Sequence, residues 1–194
     1  MILRVFTAAA LSAIAMFFWG FVFWGPVLNM ATRIMSPLPA EAELDVLAPL
    51  RARNTPTGMY VYPGPVVGTD EAAAKNHDEK MLEGPILHLA YSAAGAKPMD
   101  PVMFAEGLLH NFILALLAGI TLAVALPALP GYGQRALLLI LVTLIGVLWT
   151  NVANSIWWFH TWEYCLGQIA YGLGAGLLMA AITAAIVKPA RAAG

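Results

Sequence analysis

Residues 107–126 read GLLHNFILALLAGITLAVAL, a run of twenty residues without an Asp, Glu, Lys or Arg. A helix needs about twenty apolar residues to cross the hydrocarbon core of a bilayer, so this stretch predicts a transmembrane helix. Three further long stretches lack these charged residues: from Arg4 to Arg33, from Arg135 to Glu163 and from Glu163 to Lys188. They predict transmembrane helices over 5–28, 136–154 and 164–187.

The composition of the whole chain agrees with this pattern. Of 194 residues, 60% are hydrophobic and 11% are charged, whereas an ordinary soluble domain has about 25% charged residues. This composition excludes a soluble globular domain and a disordered chain, and a net charge of −1 offers no basic surface for nucleic acid. We therefore predict an all-α integral membrane protein built as a bundle of four transmembrane helices.

The cationic residues near the helix ends predict the orientation, because Lys and Arg resist translocation across the membrane. Arg4, Arg135, Lys188 and Arg191 flank the helix ends that four spans place on one side, and no acidic residue shares that side. We expect both termini to be cytoplasmic in a multi-pass protein of the bacterial inner membrane. The first apolar run continues to Leu28 without a small-x-small cleavage site, which predicts a retained anchor rather than a signal peptide.

The charges also divide the chain into a first helix (1–29), an extracytoplasmic segment (30–101) and a region with the other three helices (102–194). The segment carries six Lys or Arg against nine Asp or Glu. Its pattern predicts a small α+β insertion: a helix over 41–53 that Pro49 kinks or divides, a polar helix from Thr69 or Asp70 to Gly84, and two antiparallel strands over 59–62 and 86–91. Asp100-Pro101 predicts the start of the second transmembrane helix.

Aromatic residues concentrate at one membrane depth. Counting about twenty residues from each cytoplasmic charge brings all six tryptophans to the outer level. An ordinary aromatic belt occupies both interfaces, so the bias indicates a partner surface as well as contact with lipid headgroups. The candidate partner-binding residues are Trp24, Trp157, Trp158, Phe159 and Trp162. A simple membrane belt without further function remains the alternative.

Ionisable side chains share that level. Glu106 and His110 are four residues apart on one helix, and His160 and Glu163 form a second carboxylate and imidazole pair. If the helices bring these four residues together, they could hold a divalent metal ion. His110 and His160 are also candidate axial ligands of a haem. The alternative is a hydrogen-bonded network that ties the helices together, with no cofactor.

Small residues recur every four positions on three of the predicted helices, which favours close packing in a compact bundle. The stripes are Gln168, Gly172, Gly176, Ala180 and Ala184; Asn111, Ala115 and Gly119; and Gly146, Thr150 and Asn154. No ionisable residue lies at mid-membrane depth, which argues against a pump or an ion-coupled transporter.

Four short motifs give the chain a resemblance to a family of small four-span bacterial inner-membrane proteins to which no activity is assigned. They are Trp19-Gly20, the stretch PTGMYVYPG at 56–64, Trp157-Trp158-Phe159, and the glycines at 172 and 176. The chain departs from the family's pattern by Thr57 between proline and glycine. The resemblance implies the four-span topology and no activity.

No catalytic motif is present in the sequence, so no catalytic residue is predicted. We expect a non-catalytic accessory or interaction subunit that acts at the periplasmic face. Its predicted partners are membrane lipid and another membrane protein or a second copy of the chain. A metal- or haem-binding redox protein and a small-solute carrier are the alternatives.

Overall fold

The computed structural model describes residues 1–189, so the predicted cytoplasmic Arg191 lies outside the described residues. The described chain is mostly helical. In chain order its elements are α1 (Ile2–Trp24), α2 (Met30–Ile34), α3 (Ala40–Ala52), β1 (Gly58–Tyr62), α4 (Glu71–Glu83), β2 (Leu87–Tyr91), α5 (Pro101–Ala125), α6 (Tyr132–Trp157) and α7 (Trp162–Ile186). A 3₁₀ turn over Leu126–Ala128 extends α5.

Helices α1, α5, α6 and α7 are long and apolar enough to cross a membrane, which confirms the four predicted helices by length and composition. Their ends differ from the predicted ends for local reasons. Helix α1 stops at Trp24 instead of residue 28, because Pro26 cannot continue a helix and restricts Gly25 before it. Helix α5 starts at Pro101, where the Asp100 carboxylate accepts a hydrogen bond from the Val102 N–H at 3.0 Å.

The chain divides into two compact units. We call residues 1–36 together with the chain from 99 onward the helical unit, and residues 37–98 the insert. The helical unit contains the four long helices and the short α2. The insert contains α3, α4 and both strands.

The four long helices pack as an open row in the order α5, α1, α7, α6. Helix α1 contacts both α5 and α7, and α7 also contacts α6, whereas α5 and α6 touch only slightly. The predicted bundle is therefore open on the side between α5 and α6. This opening forms the cleft described below.

Small residues allow the close approaches within the row. A methyl group added at Gly119 would lie 3.0 Å from Val5 of α1, and one added at Gly172 would lie 2.7 Å from Val147 of α6. The stripes on α5 and α7 therefore face neighbouring helices, as predicted. Trp19 also donates a hydrogen bond from its indole nitrogen to the Tyr171 carbonyl at 2.9 Å.

The predicted interior stripe on α6 is wrong. Gly146 and Thr150 are exposed, and within the described chain only Arg135 and Leu139 of this helix are buried. Helix α6 stands at the end of the row and packs mainly on α7, through the face that carries Thr143 and Val147, so Gly146 and Thr150 point away from the neighbouring helices.

The cationic end of the helical unit is held by hydrogen bonds to backbone carbonyls. The buried Arg135 donates to the Ala184 carbonyl at 3.1 Å and to the Pro130 carbonyl at 2.7 Å. Arg4 donates to the Lys188 carbonyl at 2.8 Å. These contacts tie the beginnings of α1 and α6 to the end of α7, so three of the predicted cytoplasmic cations lie at one end of the row.

The insert is built from the predicted local elements. Strands β1 and β2 pair antiparallel, with Tyr60 opposite Leu89, as expected. The Asp70 carboxylate caps α4 by accepting hydrogen bonds from the Ala72 and Ala73 N–H groups. Helix α3 is a single helix that includes Pro49, so the predicted division into two short helices does not occur.

Candidate functional site

One end of the helical unit carries a cluster of aromatic rings. Helices α1, α5 and α7 contribute to it. The Trp24 ring lies 5.3 Å from the Tyr171 ring, and the Phe21 ring lies 5.6 Å from the Phe104 ring. Phe17 packs edge-on against Phe104 at 6.3 Å. Rings at these separations stabilise their neighbours beyond simple burial, so this end of the row is well fixed.

Two cavities open beside this cluster. The first, about 470 Å³, lies between α1, α5 and α7. The second, about 380 Å³, lies between α5 and α6, where Gly172 and Gly176 of α7 contribute to its floor. His110, Asn111 and Tyr171 line both cavities, so the two are adjacent. We call the second cavity the cleft; its volume is in the range of small-molecule pockets.

Few polar groups face the cleft, and these are not paired with one another. Asn111 is half-buried and His110 is exposed, and neither side chain has a hydrogen-bond partner within residues 1–189. The buried hydroxyl of Thr143 also lacks a partner among the described residues. Ligand pockets commonly combine an apolar wall with a small number of such polar groups.

The four predicted metal ligands lie on different elements. Glu106 and His110 are exposed on α5, His160 precedes α7, and Glu163 lies in the first turn of α7. No three His, Cys, Asp or Glu side chains of the described chain are grouped so that they could hold a metal ion. The pairing of His110 with His160 on a haem stays a prediction.

The predicted partner-binding residues separate into two groups. Trp157, Trp158, Phe159 and Trp162 surround the turn between α6 and α7 and are 53–73% exposed. We call these four residues the aromatic rim. Trp24 instead is half-buried in the aromatic cluster.

Phe159, at the tip of the rim, adopts a left-handed backbone conformation with φ of +58°. Bulky residues rarely adopt this conformation, and it costs on the order of 1 kcal/mol or more. The turn therefore holds an exposed aromatic side chain at a cost in backbone strain. Such strain is most often found where a residue has a function.

The insert has almost no interior. Within residues 37–98 as the structure describes them, Pro63 alone is buried. Its apolar side chains lie on the surface, and the most exposed of them are Val67 at 90%, Leu82 at 89%, Met59 at 71% and Leu44 at 69%. Large exposed apolar patches are typical of surfaces that bind a partner, so the insert is a candidate interaction surface.

No direct signal in the sequence predicts the cleft or the missing core of the insert. The glycines at 172 and 176 predicted a close approach of two helices, and the structure places Val147 and Thr143 of α6 against them. That pattern does not reveal which pair of helices stays apart. The insert combines ordinary helix and strand signals, and these describe local structure only.

Comparison of the chain with protein-family models, with curated proteins and with solved structures finds no significant match. The resemblance to the four-span family accordingly stays a prediction.

Proposed function

We propose that this chain is a multi-pass protein of the bacterial inner membrane and acts as a non-catalytic interaction subunit. In this proposal the insert lies on the periplasmic side and binds another protein there. The observation that carries the proposal is the insert, whose apolar side chains are exposed while its described residues bury only Pro63.

The energetic argument concerns the ordering of the insert. Fixing each residue costs roughly 1–2 kcal/mol of backbone conformational entropy, which burial of apolar surface normally offsets. A two-stranded sheet is marginal in water by itself. The insert therefore needs a further surface that covers side chains such as Leu44, Val67 and Leu82.

The charge of the insert favours a protein as that surface. Within 37–98 the sequence has five Lys or Arg and eight Asp or Glu. Anionic lipid headgroups repel a segment with this excess of acidic residues. A protein with an apolar patch and neighbouring basic residues complements both properties.

The aromatic rim offers a second contact for a partner embedded in the same membrane. Tryptophan is enriched among the residues that contribute most to protein–protein affinity. The rim exposes three tryptophans, and the strained Phe159 backbone presents a fourth aromatic side chain. A partner in the bilayer can contact the rim through one of its own helices.

Orientation in the membrane follows from the cationic residues. At one end of the helical row, Arg4 donates a hydrogen bond to the Lys188 carbonyl and Arg135 donates one to the Ala184 carbonyl. Cytoplasmic helix ends are enriched in such residues. A reporter enzyme that works only in the cytoplasm should be active when it is fused after Gly194. Activity of a reporter that works only in the periplasm, fused at the same position, would contradict the proposed orientation.

Site-directed photocrosslinking in intact cells tests the interaction. A photoreactive amino acid at Leu44, Val67 or Leu82 should give the same discrete protein adduct. Matched probes at Asn76 and Lys80, which are exposed on α4 away from the face that carries Leu82, should give little of it. Equal labelling from all five positions, or adducts with lipid only, would contradict the proposed protein partner.

A further inference from the structure

We infer that the cleft between α5 and α6 binds one acyl chain of a zwitterionic aminophospholipid, with the headgroup at Glu106, His110 and Asn111. The inference goes beyond the proposed function, because it assigns a lipid to a cavity that is separate from the insert and from the aromatic rim. It relies on the proposed membrane insertion of the four helices.

The depth of the cleft matches one leaflet. Its α5 wall extends from His110 to Thr121, a distance of about 16 Å at 1.5 Å per residue. Half of the hydrocarbon core measures about 15 Å. His110 lies about 27 Å along the helix from Ala128, the last residue of the 3₁₀ turn. The polar end of the cleft is therefore near the membrane surface on the Pro101 side.

The size and lining of the cleft suit one extended hydrocarbon chain. The cleft has a volume of about 380 Å³. Its wall consists of apolar side chains such as Leu114, Leu117 and Val147, together with the small floor residues Gly172 and Gly176. These surfaces suit hydrocarbon.

The polar groups at the mouth complement a zwitterionic headgroup. The His110 imidazole and the Asn111 amide can donate hydrogen bonds to phosphate or ester oxygens, and neither has a partner within the described chain. Glu106 is exposed one helical turn away on the same side of α5, with its Cβ about 5–6 Å from that of His110. Its carboxylate complements the ammonium group of the same lipid and repels an anionic headgroup.

Lipid retention by the full chain tests the inference. The protein is reconstituted in vesicles of equimolar phosphatidylethanolamine and phosphatidylglycerol, extracted in mild detergent, and analysed by native mass spectrometry. The unmodified chain should retain a single phosphatidylethanolamine in preference to phosphatidylglycerol. Equal retention of both lipids, or retention of neither, would overturn the inference.

Two matched substitutions locate the bound chain. Leu114 lines the cleft and is 41% exposed, whereas its neighbour Ile113 is 46% exposed and lines neither cavity. Leu114→Trp should fill the cleft and reduce retention about tenfold, the effect of losing roughly 1.4 kcal/mol. Ile113→Trp should retain the lipid. Equal retention by the two variants would overturn the inference.

Further variants separate the headgroup contacts from folding. His110→Phe should weaken retention about tenfold by removing a hydrogen bond to a charged group, and Glu106→Gln should abolish the preference for phosphatidylethanolamine. If Leu114→Trp does not elute as a folded protein, Thr121→Leu is the second test. Leucine is larger than threonine but smaller than tryptophan, so this variant fills the lower cleft more gently and should also reduce retention. Full retention by Thr121→Leu and His110→Phe would overturn the inference.

The outcomes also distinguish this inference from the proposed function. A chain that leaves the membrane without detergent would contradict membrane insertion itself. A detergent-extracted chain that gives the predicted photocrosslinks but retains no lipid would overturn the lipid site alone.

Discussion

The helical unit and the insert use their apolar residues in opposite ways. In the helical unit, small residues let the helices approach closely, and side chains such as Leu122 and Leu139 are fully buried. In the insert, Leu82 and Val67 are about as exposed as a side chain can be. The comparison indicates that the helical unit is stabilised from within, whereas the insert has almost no core of its own; this difference is why we propose a partner that covers the insert.

The largest expected difference concerns two glycines at similar positions in neighbouring helices. A methyl group at Gly176 would overlap Thr143, whereas one at Gly146 meets nothing within 4 Å in the described structure. Gly176→Leu should lower the free energy of unfolding by about 3 kcal/mol through overpacking. Gly146→Leu should leave it unchanged or raise it slightly because leucine favours the helix. Thermal unfolding in detergent measures both, and equal effects would contradict the packing of α6 on α7.

A second pair of substitutions compares the two regions directly. Leu122 is fully buried in the helical unit, and Leu82 is 89% exposed in the insert. Leu122→Ala should destabilise the helical unit by about 2 kcal/mol, because it leaves a cavity. This value is at the low end of the range for buried leucines, because lipid is as apolar as the core and the transfer of the side chain contributes little. Leu82→Ala should change the stability of the purified chain by less than about 0.5 kcal/mol.

The same Leu82→Ala variant also tests whether Leu82 contacts the proposed partner. In intact cells it should weaken the crosslink formed from Leu44, because an apolar contact with the partner is lost. A loss of stability in the purified chain similar to that of Leu122→Ala would show that Leu82 is buried within the chain and would contradict the exposed surface.

The last prediction concerns the aromatic rim. Phe159→Gly should raise the stability of the purified chain by about 1 kcal/mol, because glycine adopts the left-handed conformation without strain. The variant also removes an exposed ring and should weaken partner binding. Trp158→Ala is the control, because it removes an exposed ring without relieving the backbone strain. If Phe159→Gly instead lowers the stability of the purified chain, the strained turn is contradicted.

Local signals in the sequence predicted much of the secondary structure. Asp70 and Asp100 cap helices as expected, and the four uncharged stretches become long helices. Pro26 is a further local signal, and it explains why the first helix ends at Trp24 and not at the predicted residue 28. These features depend on neighbouring residues alone, so a single sequence is sufficient to predict them.

The faces of the long helices could not be predicted in the same way. Gly176 and Gly146 both belong to stripes of small residues, but only Gly176 faces another helix. Lipid and protein interior are equally apolar, so hydrophobic periodicity does not separate the two surfaces. The predicted metal group required Glu106 and Glu163 to converge, and that depends on the order of helices in the row.

Hydrogen exchange of the purified full chain, followed by mass spectrometry, tests most directly whether the insert lacks a core of its own. Backbone amides of α3 and α4 should exchange at least about a hundredfold faster than those of α7, because regions with few buried contacts open at low free energy. Covalent crosslinking to the partner should slow exchange in the insert and leave α7 unchanged. Protection of α3 and α4 equal to that of α7 in the purified chain would contradict the account.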